Sequence, residues 1–306
     1  MFNKVVIVTR KTRLEGLIER FNTRSQAKFY IEHAGGDFAE YEREDDAYRA
    51  ALDILRRSLH FELPIQLVDR SLVPTFQFQK EDAVITLGQD GLVANTAKYA
   101  GAQPIVGVNP EPARFDGILL PFSPGDARAA LARVLESKAN VRDVTLAAVT
   151  LKDGQRLLAF NDLFLGARSH VSAMYRIKSG DRSELQSSSG VLVSTGAGST
   201  GWVSSVFNMA SGIARFCGGT GVNGIRMPWE DPRLLFVVRE PFLSRHSQIG
   251  IVAGTLQPGQ ELVIESLMPS GGGIFSDGVE DDYLDFNSGA IASVRAADHP
   301  ARLVVS

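Results

Sequence analysis

An apolar run at residues 83–87 leads directly into a Gly-Gln-Asp-Gly segment at residues 88–91. The run is rich in β-branched residues and predicts a buried strand, whereas residues 92–99 are typical of a helix. The glycines let a phosphate approach the backbone, and the helix N-terminus supplies N–H donors and positive potential. Asp90 is then placed to orient or deprotonate a hydroxyl that attacks the phosphate. A simpler role for the Asp90 carboxylate, capping of the helix N-terminus, also stays open.

The first part of the chain alternates predicted strands and helices. Strands are expected at residues 5–8, 64–68, 83–87 and 104–108, and helices from Leu14, from Glu44, at residues 92–100 and after Ser123. This alternation predicts a parallel sheet with helices on both faces. Ligands bind such sheets at the carboxyl ends of the strands, where a basic turn with Arg10, Lys11 and Arg13 follows the first strand. The turn is suited to holding phosphates, although such turns are more often only solvated.

The pattern changes near residue 139, where short β-rich runs replace helices. Such runs are expected at residues 144–151, 157–160, 173–177, 190–194, 234–238, 248–252 and 261–266. Turn residues separate them, and a single helix is predicted after Gly201. We therefore expect an α/β domain at residues 1–139 and an all-β domain at residues 140–306, since the chain is long enough for two cores.

Two segments of the β-rich half carry polar residues suited to a ligand. Asn161 and Asp162 interrupt an apolar run and need hydrogen-bond partners, either from a ligand or from the backbone of a tight turn. Residues 191–201 contain a G-x-G-x-x-G pattern, but they lack the βαβ context and the later acidic residue of a Rossmann site. The segment is still suited to binding a ligand through Thr195, Ser199, Thr200 and Trp202. A helix-capping turn with the tryptophan in the core is the alternative.

Composition and charge narrow the range of functions. A net charge of −3 and a pI near 6.0 give no support for a nucleic-acid surface. No apolar run approaches the roughly 20 residues that span a bilayer, and the N-terminus is typical of a strand rather than of a targeting peptide. The single cysteine, Cys217, excludes an internal disulfide, and the five histidines show no metal-ligand spacing. A cytoplasmic protein without a membrane or nucleic-acid partner is expected, and no metal ligands are predicted.

Four motifs occur in an order that resembles the NAD kinase family. They are Gly-x-Asp-Gly, Asn-Asp, Thr-Gly-x-Gly-Ser-Thr-Gly-Trp and a late Asp-Gly at residues 277–278, and the family's first three read roughly GGDG, NE and TPTGSTAY. The closer likeness, at residues 107–112, 239–241 and 286–293, is to the mitochondrial-type NAD kinases. The resemblance covers nearly the whole chain. It implies an α/β domain with a Rossmann-like parallel sheet, a C-terminal all-β sandwich domain and an active site between them.

The resemblance also implies an activity, the transfer of the γ-phosphate of ATP to the 2′-hydroxyl of the adenosine ribose of NAD. By position, Asp90 would be the base or the orienting group for that hydroxyl. The donor phosphates would be lined by Gly88, Gln89 and Gly91 and held with help from Arg10, Lys11 and Arg13. The dinucleotide would be bound by Asn161, Asp162, Thr195, Ser199, Thr200 and Trp202. Mg²⁺ would bridge the donor phosphates. Enzymes of this family usually form homodimers or higher homo-oligomers, so the resemblance implies a homo-oligomer here.

The sequence departs from the family pattern at three places. Gln89 stands where the family has a second glycine, and its side chain either narrows the donor site or offers an amide donor to a phosphate. Asp162 is one methylene shorter than the family's Glu, and Gly196 and Ala197 replace Pro-Thr. Two other functions therefore stay open. One is a catalytically impaired dinucleotide-binding or regulatory protein, and the other is a diacylglycerol-type lipid kinase with a related Gly-Asp-Gly architecture.

Overall fold

The structure is a computed structural model that describes residues 2–59 and 61–306; His60, one of the five histidines, lies outside these ranges. The described chain forms two compact units. One runs to Arg142 and includes Arg302–Ser306, and the other comprises Asp143–Ala301. The last five residues of the chain therefore belong to the first unit. No helix in the described ranges is both long enough and apolar enough to cross a membrane.

The helices and strands alternate in the first unit, whereas strands dominate the second. The helices are α1 (Arg13–Phe21), α2 (Arg24–His33), α3 (Phe38–Ser58), α4 (Asp90–Ala97), α5 (Ala127–Leu135) and α6 (Trp202–Phe216). The strands of the first half are β1 (Lys4–Thr9), β2 (Ile65–Asp69), β3 (Asp82–Leu87), β4 (Pro104–Val108), β5 (Val141–Val144), β6 (Ala147–Leu151), β7 (Arg156–Ala159) and β8 (Asp162–Ala167). Those of the second half are β9 (Ala173–Ser179), β10 (Arg182–Ser188), β11 (Val191–Ser194), β12 (Leu234–Val238), β13 (Ala253–Leu256), β14 (Leu262–Ser266), β15 (Gly272–Ser276), β16 (Val279–Asp285), β17 (Ile291–Ala296) and β18 (Ala301–Val304).

The sheet of the first unit has the strand order β2-β1-β3-β4-β18-β5, and neighbouring strands from β2 to β18 run parallel. One face packs on α3 and α5, through side chains such as Leu55 and Leu131. The other face packs on α4, where Leu92 contacts Val6 and Val8. Burial of each such side chain contributes about 1.5–3 kcal/mol to folding. The predicted parallel sheet with helices on both faces is confirmed.

Two helical features of the first unit differ from the sequence-based expectation. Helix α3 begins at Phe38, six residues before the predicted start, because Asp37 accepts the Ala39 N–H at 2.9 Å as a cap. Phe38 itself is buried against Leu14 and Ile31, so the helix extends to cover that small cluster. Helix α2, which supplies Ile31, was not predicted; only two of its ten residues are buried, which leaves little apolar periodicity to detect.

The second unit consists of two six-stranded sheets, each with antiparallel neighbours. Their orders are β10-β9-β14-β17-β6-β7 and β13-β12-β11-β8-β15-β16. One core cluster draws on both sheets, with Leu163 and Val193 from one and Tyr175 and Ile264 from the other. Side chains from two facing sheets that share one core define a β-sandwich, as predicted.

Two strand predictions in the second unit need correction, and several of its strands were not predicted. The expected strand at residues 248–252 is irregular backbone, because the Glu184 carboxylate accepts the N–H groups of Gly250 and Ile251 at 2.9 Å each; β13 begins only at Ala253. The expected strand at residues 144–151 is divided between β5 and β6. Strands β10 and β16 were missed because polar residues dominate both.

Candidate active site

The Gly-Gln-Asp-Gly segment joins β3 to α4 at the carboxyl edge of the first unit's sheet. Gly88 is buried and donates its N–H to the Val108 carbonyl at 3.2 Å, which ties the segment to the end of β4. Gln89 and Gly91 are exposed, and Asp90 is half-buried. The segment thus presents a carboxylate and the first turn of a helix at the edge where ligands bind parallel sheets.

Asp90 does not cap the helix. Helix α4 begins at this residue, with Gln89 in the N-cap position and without a side-chain cap. The Asp90 carboxylate instead accepts the backbone N–H of Leu119 at 2.8 Å, from the connection between β4 and α5. One carboxylate oxygen is therefore held by the protein in a defined orientation.

The substitution at Gln89 does not strain the segment. Its backbone, with φ −114° and ψ 166°, is extended and open to any residue, so this position does not require glycine. The exposed side chain makes no capping hydrogen bond to α4. A glutamine is therefore compatible with the same backbone path that a glycine would follow.

Among the three cations of the basic turn, Arg10 lies against the segment. Its Cδ lies 3.6 Å from the position that a Cβ on Gly88 would occupy. Its guanidinium donates to Glu44 at 3.1 Å, and its buried Nε has no hydrogen-bond partner. Lys11 pairs with Glu19 at 2.7 Å, with both side chains exposed, and Arg13 donates to Glu44.

Glu44 balances the charge of the two arginines. Burial raises the pKa of this carboxyl, but the hydrogen bonds from Arg13 and Arg10 outweigh burial and leave the pKa below its usual range. The carboxylate is therefore ionised and neutralises part of the positive charge that the turn would offer to a phosphate.

Tyr48 connects two strand ends next to this segment. Its hydroxyl accepts the Arg10 N–H and donates to the Leu87 carbonyl, each at 3.0 Å, which joins the end of β1 to the end of β3. Burial is the largest cause that raises its pKa, to about 12, so the hydroxyl keeps its proton. The sequence did not indicate this role of Tyr48, because both partners are 38 residues or more away in the chain.

A second cluster lies in the second unit, where Asp277 organises the connection between β7 and β8. Its carboxylate accepts three backbone N–H groups, from Phe160 at 2.9 Å, Asn161 at 2.6 Å and Asp162 at 3.2 Å. Asp277 and Gly278 form the tip of the β15–β16 hairpin, both with positive φ. The sequence placed this pair among the four ordered motifs but did not indicate the hydrogen bonds that the carboxylate accepts.

The glycine-rich loop after β11 packs on the same connection. Thr195 donates its N–H to the Asn161 carbonyl at 2.9 Å and its hydroxyl to the Phe160 carbonyl at 2.6 Å. A Cβ on Gly198 would overlap the Asn161 carbonyl oxygen, so only glycine allows this approach. The Ser199 hydroxyl is likewise used within the loop, donating to Gly196 at 2.7 Å. The buried hydroxyls thus shape the loop, whereas Thr200 is exposed.

Trp202 stands at the start of α6 and is not a core residue. The residue is 40% exposed, and its ring stacks on Phe164 with 5.6 Å between the ring centroids. The Arg239 guanidinium lies over the Trp202 ring at 5.1 Å. The tryptophan therefore presents an exposed aromatic edge beside a cation, a combination suited to an anionic aromatic ligand.

Burial strongly perturbs the Asp162 carboxyl of this cluster. Burial raises its pKa to about 7; the Ser194 hydrogen bond opposes this shift, and the nearby Asp277 carboxylate adds to it. One of its carboxylate oxygens, Oδ1, is buried without a hydrogen-bond partner. A buried acceptor in this condition is suited to a hydroxyl donor from a ligand.

The Asp162 shift predicts a pH dependence of stability. Between about pH 4, the ordinary pKa of Asp, and about pH 7, the folded protein binds a proton that the unfolded chain releases. The contribution of Asp162 to the free energy of unfolding therefore falls as the pH rises through this range. The difference in free energy of unfolding, Asp162→Asn minus wild type, is expected to increase as the pH rises from about 5 to about 8, as measured by urea unfolding.

The exposed Asp181 offers the matched control for this experiment. Asp181→Asn removes a carboxylate from a hairpin tip of the same unit and controls for the loss of one negative charge. A difference between Asp162→Asn and wild type that does not change with pH, or that changes as it does for Asp181→Asn, would contradict the assignment of a perturbed carboxyl.

Comparison with known proteins gives one curated relative of part of the chain and solved structures that share its fold. No model of a known protein family matches the chain. An NAD kinase from Chlorobium phaeobacteroides is 25% identical over 147 residues, which are 46% of this chain and 50% of that protein. The chain thus matches about half the length of this curated relative.

Two solved structures share the fold. Yeast NADH kinase complexed with NADH has a TM-score of 0.59 and 18% identity, covering 100% of this chain and 84% of that one. An NAD kinase from Archaeoglobus fulgidus in complex with ATP has a TM-score of 0.56 and 16% identity, covering 98% and 93%. The fold predicted from the motif order, an α/β domain followed by a β-sandwich domain, is confirmed.

Proposed function

We propose that this protein is an ATP-dependent NAD kinase. The observation that supports the proposal best is the placement of Asp90, a half-buried carboxylate held by the Leu119 N–H at the junction of β3 and α4. This junction combines a helix N-terminus with glycines that admit a phosphate. The ordered motifs and the NAD kinase relatives support ATP as the donor and NAD as the acceptor.

The proposed reaction is an in-line phosphoryl transfer. The 2′-oxygen of the adenosine ribose of NAD attacks the γ-phosphorus of ATP, and the bond from that phosphorus to the β,γ-bridging oxygen breaks. The proton of the 2′-hydroxyl passes to the Asp90 carboxylate, and ADP leaves with the bridging oxygen. The products are NADP and ADP. Positioning and charge stabilisation supply most of the rate in such reactions.

On the donor side, the triphosphate is assigned to the β3–α4 junction. Gly88 and Gly91 admit the phosphates, Gln89 offers its exposed amide, and Arg10 offers the unpaired Nε beside Gly88. Lys11 and Arg13 already pair with carboxylates, so we assign them a weaker, more distant contribution to phosphate binding.

On the acceptor side, the dinucleotide is assigned to the cluster around Asp277. Asp162 would accept a ribose hydroxyl through its unpartnered Oδ1, and Asn161 beside it is suited to the neighbouring groups. Thr200 and Trp202 are exposed and would contact the dinucleotide directly. Thr195 and Ser199 would instead shape the loop, because their hydroxyls are used within it.

Magnesium enters this proposal as part of the MgATP substrate. The described residues contain no group of three His, Cys, Asp or Glu side chains that could hold a metal ion. Mg²⁺ in kinases is commonly bound by substrate phosphates, waters and one or two carboxylates, and Asp90 is a carboxylate at the phosphate end of the proposed site. Homo-oligomeric assembly, a cytoplasmic location and the mitochondrial-type likeness stay predictions from the sequence.

The proposal is tested by assaying NADP formation from NAD with ATP and Mg²⁺. Parallel reactions replace ATP by other nucleoside triphosphates or by polyphosphate, or replace NAD by NADH. NADP-specific dehydrogenase cycling detects the product. NADP formation with ATP supports the proposal, whereas NADP formation only with another donor would keep the kinase activity and overturn ATP as its donor. NAD binding without turnover under every donor would favour the regulatory alternative, and phosphorylation of diacylglycerol in place of NAD would favour the lipid kinase.

A further inference from the structure

The connection between β4 and α5 forms a closed loop whose two ends are tied together. Val108 and Phe122 form a parallel bridge, and the Asn109 N–H donates to the Phe122 carbonyl at 2.8 Å. Phe122 in turn donates its N–H to the Gly107 carbonyl at 3.3 Å. The loop between these ends supplies the Leu119 N–H that holds Asp90.

The side chain of Asn109 organises the interior of this loop. The residue is 3% exposed. Its Nδ2 donates to the Phe115 carbonyl at 2.8 Å, and its Oδ1 accepts the Glu111 N–H at 3.0 Å. A buried amide that satisfies both a backbone donor and a backbone acceptor fixes the path of the loop between them.

Two glycines then bring the loop to Asp90. Gly117 has φ +58°, and a Cβ there would lie 2.7 Å from the Nδ2 of Asn109, so the loop turns directly over this amide. The Gly117 carbonyl accepts the Leu120 N–H at 2.9 Å, which closes a turn just before the loop returns at Phe122 to the end of β4. A Cβ on Gly107 would overlap the Leu119 carbonyl oxygen, so Leu119 passes directly over the Gly107 backbone.

We infer that Asn109 is a positioning residue for the proposed phosphoryl transfer, acting through the loop and the Leu119 N–H on the Asp90 carboxylate. This inference rests on the proposed function. Asn109 does not itself contact the reacting groups. It holds the loop that holds one oxygen of Asp90, and in the proposed reaction the second oxygen accepts the proton of the acceptor hydroxyl.

The Asn109→Ala variant is expected to lower kcat for NADP formation roughly 10- to 100-fold, because a carboxylate displaced by about 1 Å loses its alignment with the hydroxyl. The KM values for ATP and NAD are expected to stay within about twofold, since no binding group is removed. Asn109→Asp is the second variant. It keeps an acceptor for the Glu111 N–H but places a carboxylate oxygen against the Phe115 carbonyl, so its kcat is expected to fall at least as far.

Gln103 provides the matched control. Its buried side-chain amide donates to the Gln79 carbonyl, and both residues precede strands β4 and β3 at the opposite, amino edge of the same sheet. Gln103→Ala therefore removes a comparable hydrogen bond from the same unit but away from Asp90. Its kcat is expected to stay within about threefold of wild type.

A double-mutant cycle separates positioning from general destabilisation. In the Asp90→Asn background, Asn109→Ala is expected to have almost no further effect on kcat, because the group through which it acts is gone. Hydrogen exchange at the Leu119 amide gives a readout independent of activity. It is expected to be at least about tenfold faster in Asn109→Ala, and unchanged in Gln103→Ala.

Equal kcat losses in both backgrounds, or an unchanged Leu119 exchange rate, would overturn the inference. A wild-type protein that makes no NADP with any donor would overturn the proposed function instead, and with it the catalytic part of the inference. The Leu119 exchange rates would then still decide whether Asn109 holds the loop against Asp90.

Discussion

Replacing Asp90 by Asn is expected to lower the rate of NADP formation roughly 100-fold or more, because the variant loses the base that accepts the 2′-hydroxyl proton. The asparagine is isosteric and its Oδ1 still accepts the Leu119 N–H, so the local structure is expected to persist. The KM for ATP is expected to change little. Steady-state NADP formation, measured beside thermal unfolding of the same preparations, provides the check.

Asp82 supplies the control for this substitution. Its carboxylate also accepts a backbone N–H, that of Gln79 at 2.9 Å, but it lies at the beginning of β3 rather than after its end. Asp82→Asn is expected to reduce stability because the residue is buried beside Lys4, while kcat stays within about threefold of wild type. Equal activity in wild type and Asp90→Asn would remove Asp90 from its proposed role.

The second large effect is expected at Asp277. Its carboxylate accepts three backbone N–H groups from the β7–β8 connection, and an Asn side chain there would turn one acceptor into a donor that faces other donors. The free energy of unfolding is expected to fall by about 2–3 kcal/mol in Asp277→Asn, since hydrogen bonds to charged groups are among the strongest in proteins. The KM for NAD is expected to rise about tenfold or more because Asn161 and Asp162 lose their support.

Asp153 is the matched control for Asp277. It also precedes a glycine with positive φ at a hairpin tip, between β6 and β7, but its carboxylate accepts only the nearby Gln155 groups. Asp153→Asn therefore tests the turn without the distant contacts and is expected to leave the KM for NAD unchanged. Similar changes in stability and in the KM for NAD for both variants would show that the three N–H contacts of Asp277 contribute nothing beyond the turn itself.

Much of the architecture is encoded in local patterns. The strand at residues 83–87 and the strand at residues 104–108 were predicted nearly to the residue, because buried parallel strands are continuous apolar runs. Amphipathic strands with polar faces, such as β10 and β16, have no such run. Irregular segments such as residues 248–252 depend on a side chain, Glu184, that is distant in sequence.

The residues of the candidate site likewise divide into those that local sequence patterns indicate and those that depend on distant contacts. Asp90 and the loop with Gly198 were predicted as site residues because each lies between a strand and a helix, a context that local sequence reveals. Tyr48, Asn109 and Asp277 were missed as organising residues. Asp277 contacts a segment 115–117 residues away, and Tyr48 contacts Leu87 at a separation of 39, so no short spacing could indicate them. The contacts of Asn109 are close in sequence, but they depend on the positive φ at Gly117.

The measurement that tests the central proposal most directly is the fate of the γ-phosphoryl group. The protein is incubated with NAD, Mg²⁺ and ATP labelled at the γ-phosphorus, and the position of the label in the dinucleotide product is determined by chromatography and ³¹P NMR. We predict that the label appears on the 2′-oxygen of the adenosine ribose, with one ADP formed for each NADP and at least roughly 100-fold less transfer by Asp90→Asn. Label found only in inorganic phosphate, or none transferred while NAD is bound, would contradict the assignment of this chain as an NAD kinase.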